Sequence, residues 1–257
     1  MTRQVSIARL RELGITPNRE LGQNFLIDDN VLRVIGQVAP LQLDDVVLEV
    51  GAGLGVLTRW LAGRVRLVHA IEIDRRLEPA LQTTLEGVEN VCLRFADAMR
   101  IDPATLDPRP QALVANLPYA VATPVIMNAL PVCERCCVMV QREIADRLFA
   151  APASKAYGAV SVLMQLSSRR LAMRPVSRRV FTPVPQVDSA LVAFERSSDL
   201  ATGPEWPRIS AVVHAAFGHR RKRLANALEL AGMPPPPVDL AGLRAEQLTP
   251  EQFLELL

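Results

Sequence analysis

The chain has 257 residues, 49% hydrophobic and 22% charged, enough for one large α/β domain and a small second one; this excludes a disordered tail protein and an array of charged repeats. With 29 basic against 27 acidic residues the net charge is only +2, so any contact with nucleic acid must come from where basic groups cluster. Lys155 and Lys222 are the only lysines; the arginine forks that carry the rest suit phosphate, although an arginine-rich coding habit leaves the same composition.

The opening stretch, MTRQVSIARLRELG, carries Arg3, Arg9 and Arg11 but also Glu12, and it lacks the apolar core of a secretory signal, so a cytoplasmic location is expected. Residues 1–45 form a lead-in, with Val31, Leu32, Ile35 and Val38 on one helical face after the turn-like IDDN. Next come a strand, VVLEV (46–50), a glycine turn, a helical VLTRWLAGR and a second strand, RLVHAIEID (66–74), together a βαβ unit. The alternation continues with a helix near 76–86, strands at VCLRFAD and QALVAN, a helix after Pro124 and a strand at RCCVMVQ. Repeated strand-helix-strand predicts an α/β fold with a doubly wound, mostly parallel, Rossmann-like sheet. Nothing between Ala112 and Cys133 is charged, but Asn116, Pro118, Pro124, Asn128 and Pro131 interrupt the run, so it does not span a membrane.

SSRRLAMRPV and SALVAFER read as a closing hairpin that adds antiparallel strands at the sheet edge. The main domain is then expected over 1–198. A polar link, DLATGPEWP, leads into helical patterns at RISAVVHAAF and RKRLANALELAG, then the rigid prolines 234–237 and EQFLELL, a small all-α domain over 199–257. No metal site is expected. Cys133, Cys136 and Cys137 lack a second pair to complete four ligands, Cys92 stands alone, and His69, His214 and His219 are scattered.

Three glycines, Gly51, Gly53 and Gly55, form the turn EVGAGLG between a buried strand and a helix, where backbone amides can approach a nucleotide-like ligand. Such turns also serve simply to pack a helix on a sheet. The spacing is G-x-G-x-G with Val56 following, which disfavours a nicotinamide fingerprint and hence an oxidoreductase. Glu72, about twenty residues on at a strand end, suits two ribose hydroxyls, and Asp97 at the end of the third strand suits an adenine amino group. Each acid alone would pass as a solvated strand terminus; the set points to an adenosine ligand.

The tetrad Asn116-Leu117-Pro118-Tyr119 directly follows the buried strand ALVA, where a polar side chain is expensive unless paired. An exocyclic amine on a purine is a poor nucleophile because its lone pair is delocalised. An Asn carbonyl and a neighbouring backbone carbonyl, accepting its two N–H bonds, would localise that pair toward a methyl donor without a general base. Pro118 would aim the Leu117 carbonyl, and Tyr119 offers a face for a flipped base. The competing reading is an ordinary strand-ending turn. Phe181, in VFTPVPQVDSALV, would close the other face of a base or sit in the core at a hairpin start.

In this order, GQNFL (22–26), EVGAGLG, EID (72–74), NLPY, FTPVPQVDSALV and AFGHRRKRLANAL resemble the ribosomal RNA adenine N6-dimethyltransferases, in particular the bacterial small-subunit KsgA/RsmA family. The resemblance runs from about residue 18 to the C-terminus. It implies transfer of methyl groups from S-adenosylmethionine to N6 of two adjacent adenosines in the 3′-terminal hairpin loop of 16S rRNA, two to each, as a step in small-subunit biogenesis. By the same resemblance Asn24, Leu26, Gly51 and Gly53 contact the cofactor, Glu72 holds its ribose, Asp97 its adenine, and Asn116 stands where cofactor and target base meet. Leu117, Tyr119 and Phe181 would hold the acceptor adenine. Gln186 stands where the family usually carries Lys, and Asn24 where it often carries His.

Arg169, Arg170, Arg174, Arg178 and Arg179 fall in a stretch without acids, and Arg220, Arg221, Lys222 and Arg223 form a second block opening a helix. Charge runs are often solvated faces; beside a base pocket they suit RNA phosphates. The partners expected are 16S rRNA and the immature 30S subunit, with the chain acting as a monomer and no membrane involved. Two alternatives stay open: an assembly or RNA-binding factor acting mainly by binding, and a 23S rRNA adenine methyltransferase of the macrolide-resistance type.

Overall fold

The computed structural model describes residues 8, 10, 12–18 and 20–257; Arg3, Arg9 and Arg11 of the opening stretch lie outside them. In chain order the elements are β1 (Phe25–Leu26), α1 (Asp29–Val38), β2 (Val46–Val50), α2 (Val56–Ala62), β3 (Leu67–Glu72), α3 (Glu78–Thr84), β4 (Val91–Phe95), β5 (Ala112–Asn116), α4 (Ala122–Ala129) and β6 (Arg135–Gln141). After them come α5 (Arg142–Leu148), α6 (Ala159–Ser167), β7 (Ser168–Val176), β8 (Phe181–Thr182), β9 (Ser189–Arg196), α7 (Trp206–Gly218), α8 (Leu224–Leu230) and α9 (Val238–Ala241).

Seven strands form one sheet in the order β4-β3-β2-β5-β6-β9-β7. The pairs from β4 through β6 are parallel, and β9 joins β6 antiparallel, with Val138 opposite Val192. The fold is therefore the Rossmann-like α/β sheet with an antiparallel edge that the alternation predicts. Why β2 lies inside follows from its composition: every residue of VVLEV is buried, as a parallel strand covered on both faces requires. By contrast β4, an outer strand of the sheet, alternates half-buried and exposed residues. Asp28 caps α1 by accepting from the Asn30 amide, and Val31, Leu32 and Ile35 bury one face of that helix.

Two compact units result. The first holds the described residues up to Arg142 together with Arg170–Glu195, and the second holds Glu143–Arg169 with Arg196–Leu257. The sequence reading divides the chain once, near Ser198; the packing also assigns α5 and α6 to the second unit. The cause is a separate core. Tyr157 is fully buried, its hydroxyl donates to the Leu248 carbonyl at 2.8 Å, and its ring meets Phe217, which stacks on Phe253 at 5.7 Å. Among the described residues no helix is long and apolar enough to cross a membrane. Cys136 and Cys137 are buried in β6, where burial pushes the Cys137 thiol up to about 12.

Candidate functional site

In the first unit the sheet order reverses between β2 and β5, because β3 and β4 lie to one side of β2 and β5 and β6 to the other. Open α/β sheets bind ligands at the carboxyl ends of strands at such a point. A cavity of about 180 Å³ lies there, lined by Gly51, Glu72, Asp97 and Asn116, which follow or end β2, β3, β4 and β5 in turn.

The glycine turn forms its base. Gly51 has φ +84°, and a Cβ there would stand 3.3 Å from Pro118 Cδ and 3.4 Å from the Asn116 carbonyl. Only glycine lets the turn and the tetrad approach this closely. Gly53 donates its amide to Glu72 Oε2 at 2.8 Å, while Asp74 donates to Glu72 Oε1 at 2.9 Å. Burial raises the Glu72 carboxyl, and these amides oppose the rise. Four lone-pair sites, two of them used, leave the carboxylate able to accept from a vicinal diol. Asp97 accepts from the Met99 amide through Oδ1 at 2.9 Å, which turns the chain sharply after β4 and holds the carboxyl at the rim.

The tetrad packs beside the turn, with Asn116, Leu117, Pro118 and Tyr119 all lining the cavity. Asn116 Nδ2 donates to the Asn24 carbonyl at 3.3 Å, which leaves Oδ1 as the acceptor. Leu117 is 1% exposed and its amide donates to the Met139 carbonyl, so its backbone carbonyl is what it offers a ligand. Tyr119 is half-buried, its hydroxyl 3.0 Å from Ser189 Oγ, and burial raises its phenol, keeping the ring neutral. Asn24 and Leu26 line the same cavity, and Asn24 Nδ2 donates to the Gly22 carbonyl at 2.9 Å.

Phe181 is not in the cavity wall. It is 1% exposed, sits opposite Leu26 in the β1–β8 ladder and belongs to the hydrophobic core, the second of the places open to it. The block at Arg220–Arg223 leads into a helix as expected: it fills the turn after α7, closed by the Lys222 amide on the His219 carbonyl, and Arg223 is the N-cap of α8, which begins at Leu224. Within it Arg220 is committed to Glu246 Oε2 at 2.8 Å and to the Lys155 carbonyl. Arg221, Lys222 and Arg223 are exposed.

Several residues of the site escape a reading of the sequence. Glu49, in the middle of β2, is 1% exposed and lines the cavity; its Oε2 has no hydrogen-bond partner among the described residues. Burial pushes its carboxyl up to about 8, against the lowering effect of the Thr58 hydroxyl and with the charge of Glu72 adding to the rise. The available signal was one carboxylate among four aliphatic strand residues. Asp74 is also buried: Arg76 grips it at 2.6 Å and Gln23 Nε2 donates to it at 2.8 Å, tying the 22–26 loop to the end of β3. Among the described residues no cluster of His, Cys, Asp and Glu has the makings of a metal site.

Comparison with known proteins bears on the family and the fold. Residues 15–236 match the family model described as ribosomal RNA adenine dimethylase. A ribosomal RNA small subunit methyltransferase A from Rubrobacter xylanophilus is 46% identical over 250 residues, covering 93% of this chain and 94% of its own. Among solved structures, a dimethyladenosine transferase from Plasmodium falciparum superposes with a TM-score of 0.74 at 24% identity, over 91% of this chain and 96% of its own. The 23S rRNA methyltransferase ErmE gives 0.67 at 30% identity, over 91% of this chain and 98% of its own.

Proposed function

The chain belongs to the ribosomal RNA adenine dimethylase family, and from that premise we propose which residues perform the reaction and on what particle. It is an S-adenosylmethionine-dependent enzyme that dimethylates adenines of 16S rRNA at N6. The positions expected for the family are two adjacent adenosines in the 3′-terminal hairpin loop, and the substrate is an immature 30S subunit, met by a monomer in the cytoplasm. Identity of 46% to a small-subunit enzyme, against 30% to ErmE, supports the small-subunit substrate over the 23S one.

The cofactor's groups find complements in the cavity: a cradle of left-handed glycines, a carboxylate for a diol, a second at the rim, and an unpaired buried oxygen on Glu49 suited to a cation. When bound, S-adenosylmethionine supplies a methyl group activated by a sulfonium. Glu72 accepts the ribose hydroxyls, Asp97 the adenine amine, and Asn24, Leu26, Gly51 and Gly53 shape the remaining wall. Asn116 Oδ1 and the Leu117 carbonyl accept the two N6 hydrogens of the target base and hold the nitrogen lone pair toward the methyl group. Tyr119, pinned by Ser189, carries the base on its ring. Phe181 supports the β1–β8 ladder below. The surplus proton leaves to water, since the tetrad contains no carboxylate.

One observation carries this reading: the 116–119 corner and the acids 72 and 97 line a single cavity. Asn116→Ala is expected to lower kcat at least about a hundredfold, the scale of removing one preorganised polar contact, while binding to the particle stays within about twofold. Loss of binding in parallel would favour an assembly factor that uses the fold to dock. Mass spectrometry of 16S rRNA from cells lacking the gene, with and without complementation, reads substrate and product together.

A further inference from the structure

A second groove, of about 630 Å³, lies in the same unit between α1, α2 and the end of α3. Arg33 projects from α1, Arg59 and Trp60 from α2, and Arg64 from the turn that follows, while Asp29 is the one carboxylate along it among the described residues. Trp60 organises the group. The Arg64 guanidinium lies 4.1 Å above its ring, and Gly36 on α1 makes room for the indole edge, since a Cβ there would sit 3.1 Å from Trp60 Cζ2.

What holds these guanidiniums in place is uncharged. Arg33 forks onto Asn30 Oδ1 at 2.7 and 3.2 Å, Arg59 donates to the carbonyls of Thr84 and Glu86, and Arg64 donates to the Trp60 carbonyl at 3.0 Å. Four other arginines end on carboxylates, in Arg76–Asp74, Arg135–Asp45, Arg147–Glu143 and Arg220–Glu246, while Arg109 and Arg178 also end on carbonyls but stand outside this groove. Carbonyl anchors orient a guanidinium without cancelling its charge, so three cations and one acid, Asp29, line the groove among the described residues. Val56 lines both this groove and the cofactor cavity, so a strand presenting a base to the cavity runs within reach of the groove.

We propose that this groove is an RNA-binding site that takes backbone phosphates of the substrate strand on Arg33, Arg59 and Arg64, separate from the block at 220–223. The proposal rests on the reading of the chain as an rRNA methyltransferase. Rigid planar forks beside an indole suit phosphate with a stacked base better than the scattered carboxylates of an acidic peptide.

Filter binding of 16S rRNA across a salt series tests it, with the wild type, Arg33→Gln and the double variant Arg33→Gln/Arg64→Gln. The double variant should bind about tenfold more weakly at low salt, and its slope of log K against log salt should be shallower by about 1.4, or about 0.7 for each single-strand phosphate no longer neutralised. Arg33→Gln, which removes only an exposed side chain, should show half that change, and affinity for S-adenosylmethionine should not move in either. An unchanged slope overturns the proposal. So does a parallel fall in cofactor affinity, which would make the arginines structural, or a weakening seen on the particle but not on naked rRNA, which would make the partner a protein. Failure of the wild type to bind rRNA would sink the parent reading as well, and is distinguishable because it needs no variant.

Discussion

At the scale of single residues, two buried acids in and beside the cavity are committed in opposite ways. Glu49 is the extreme: buried, with one oxygen unpaired, its carboxyl raised to about 8, so it is mostly protonated at pH 7 until a cation arrives. Binding of the cationic cofactor should therefore expel up to about one proton at pH 7, read by titration calorimetry in buffers of different ionisation enthalpy. Glu49→Gln should expel none and bind about tenfold more weakly. Equal proton release in the two proteins would remove Glu49 from the cofactor's reach. Asp74 runs the other way: the hydrogen bond from Arg76 dominates, Gln23 assists, and together they outweigh burial and lower the carboxyl to about 2 from an ordinary 3.8. A depressed carboxyl contributes stability that is present above its unfolded value and lost as pH falls through the folded one. Asp74→Asn should accordingly cost about 1 to 2 kcal/mol at pH 7, discounted because Arg76 is 55% exposed, and the gap should close between about pH 4 and 2 in urea melts. Glu72, Asp97 and Asn116 were legible because each ends a strand, where polarity has few structural uses. Glu49 was not, because in a string of residues a buried carboxylate looks like part of the glycine motif, and Asp74 was not, because its burial and its contact with Gln23, 51 residues away, leave no local pattern beside the adjacent Arg76.

At the scale of elements, the glycine turn separates two demands that look identical in the sequence. Gly51, Gly53 and Gly55 all adopt positive φ, so an alanine at any of them costs about 1 to 2 kcal/mol of backbone strain. Their surroundings differ. A Cβ at Gly55 would meet Leu81 and Thr84 at 3.1 Å, on the packing side of α2, whereas one at Gly51 would press on Pro118 at 3.3 Å and displace the tetrad. Gly55→Ala should thus lose about 2 to 3 kcal/mol in urea unfolding with the KM for S-adenosylmethionine within about twofold of wild type. Gly51→Ala should lose less stability but lower kcat/KM more than about tenfold. If the two variants lose activity alike, the turn acts as one rigid piece. The strands and helices from β2 to β6 were readable because the inner parallel strands are continuous apolar runs and every strand but β4 is followed by a helix. The short β1–β8 ladder was not, since two-residue strands leave no periodicity, and with it went the seat of Phe181.

At the scale of the whole molecule, the net charge of +2 gives no general attraction to RNA, so affinity depends on which basic side chains remain uncommitted. The block at 220–223 illustrates how sequence overcounts them. Four consecutive cations look equivalent, yet Arg220 is already engaged by Glu246 and by the Lys155 carbonyl, binding the turn after α7 to other segments of its own unit. Those partners lie 26 and 65 residues away, in helices and turns whose grouping came from the Tyr157–Phe217–Phe253 core and not from any local pattern. Arg221 and Lys222 are exposed in the turn and have no such partner among the described residues. Arg221→Gln/Lys222→Gln should weaken 16S rRNA binding severalfold and make the salt dependence shallower by about 1.4, with thermal stability and cofactor affinity unchanged. Arg220→Gln should instead lower the melting temperature and leave the salt slope near that of the wild type. A swapped pattern between the variants would reverse the assignment of structural and RNA-facing charge.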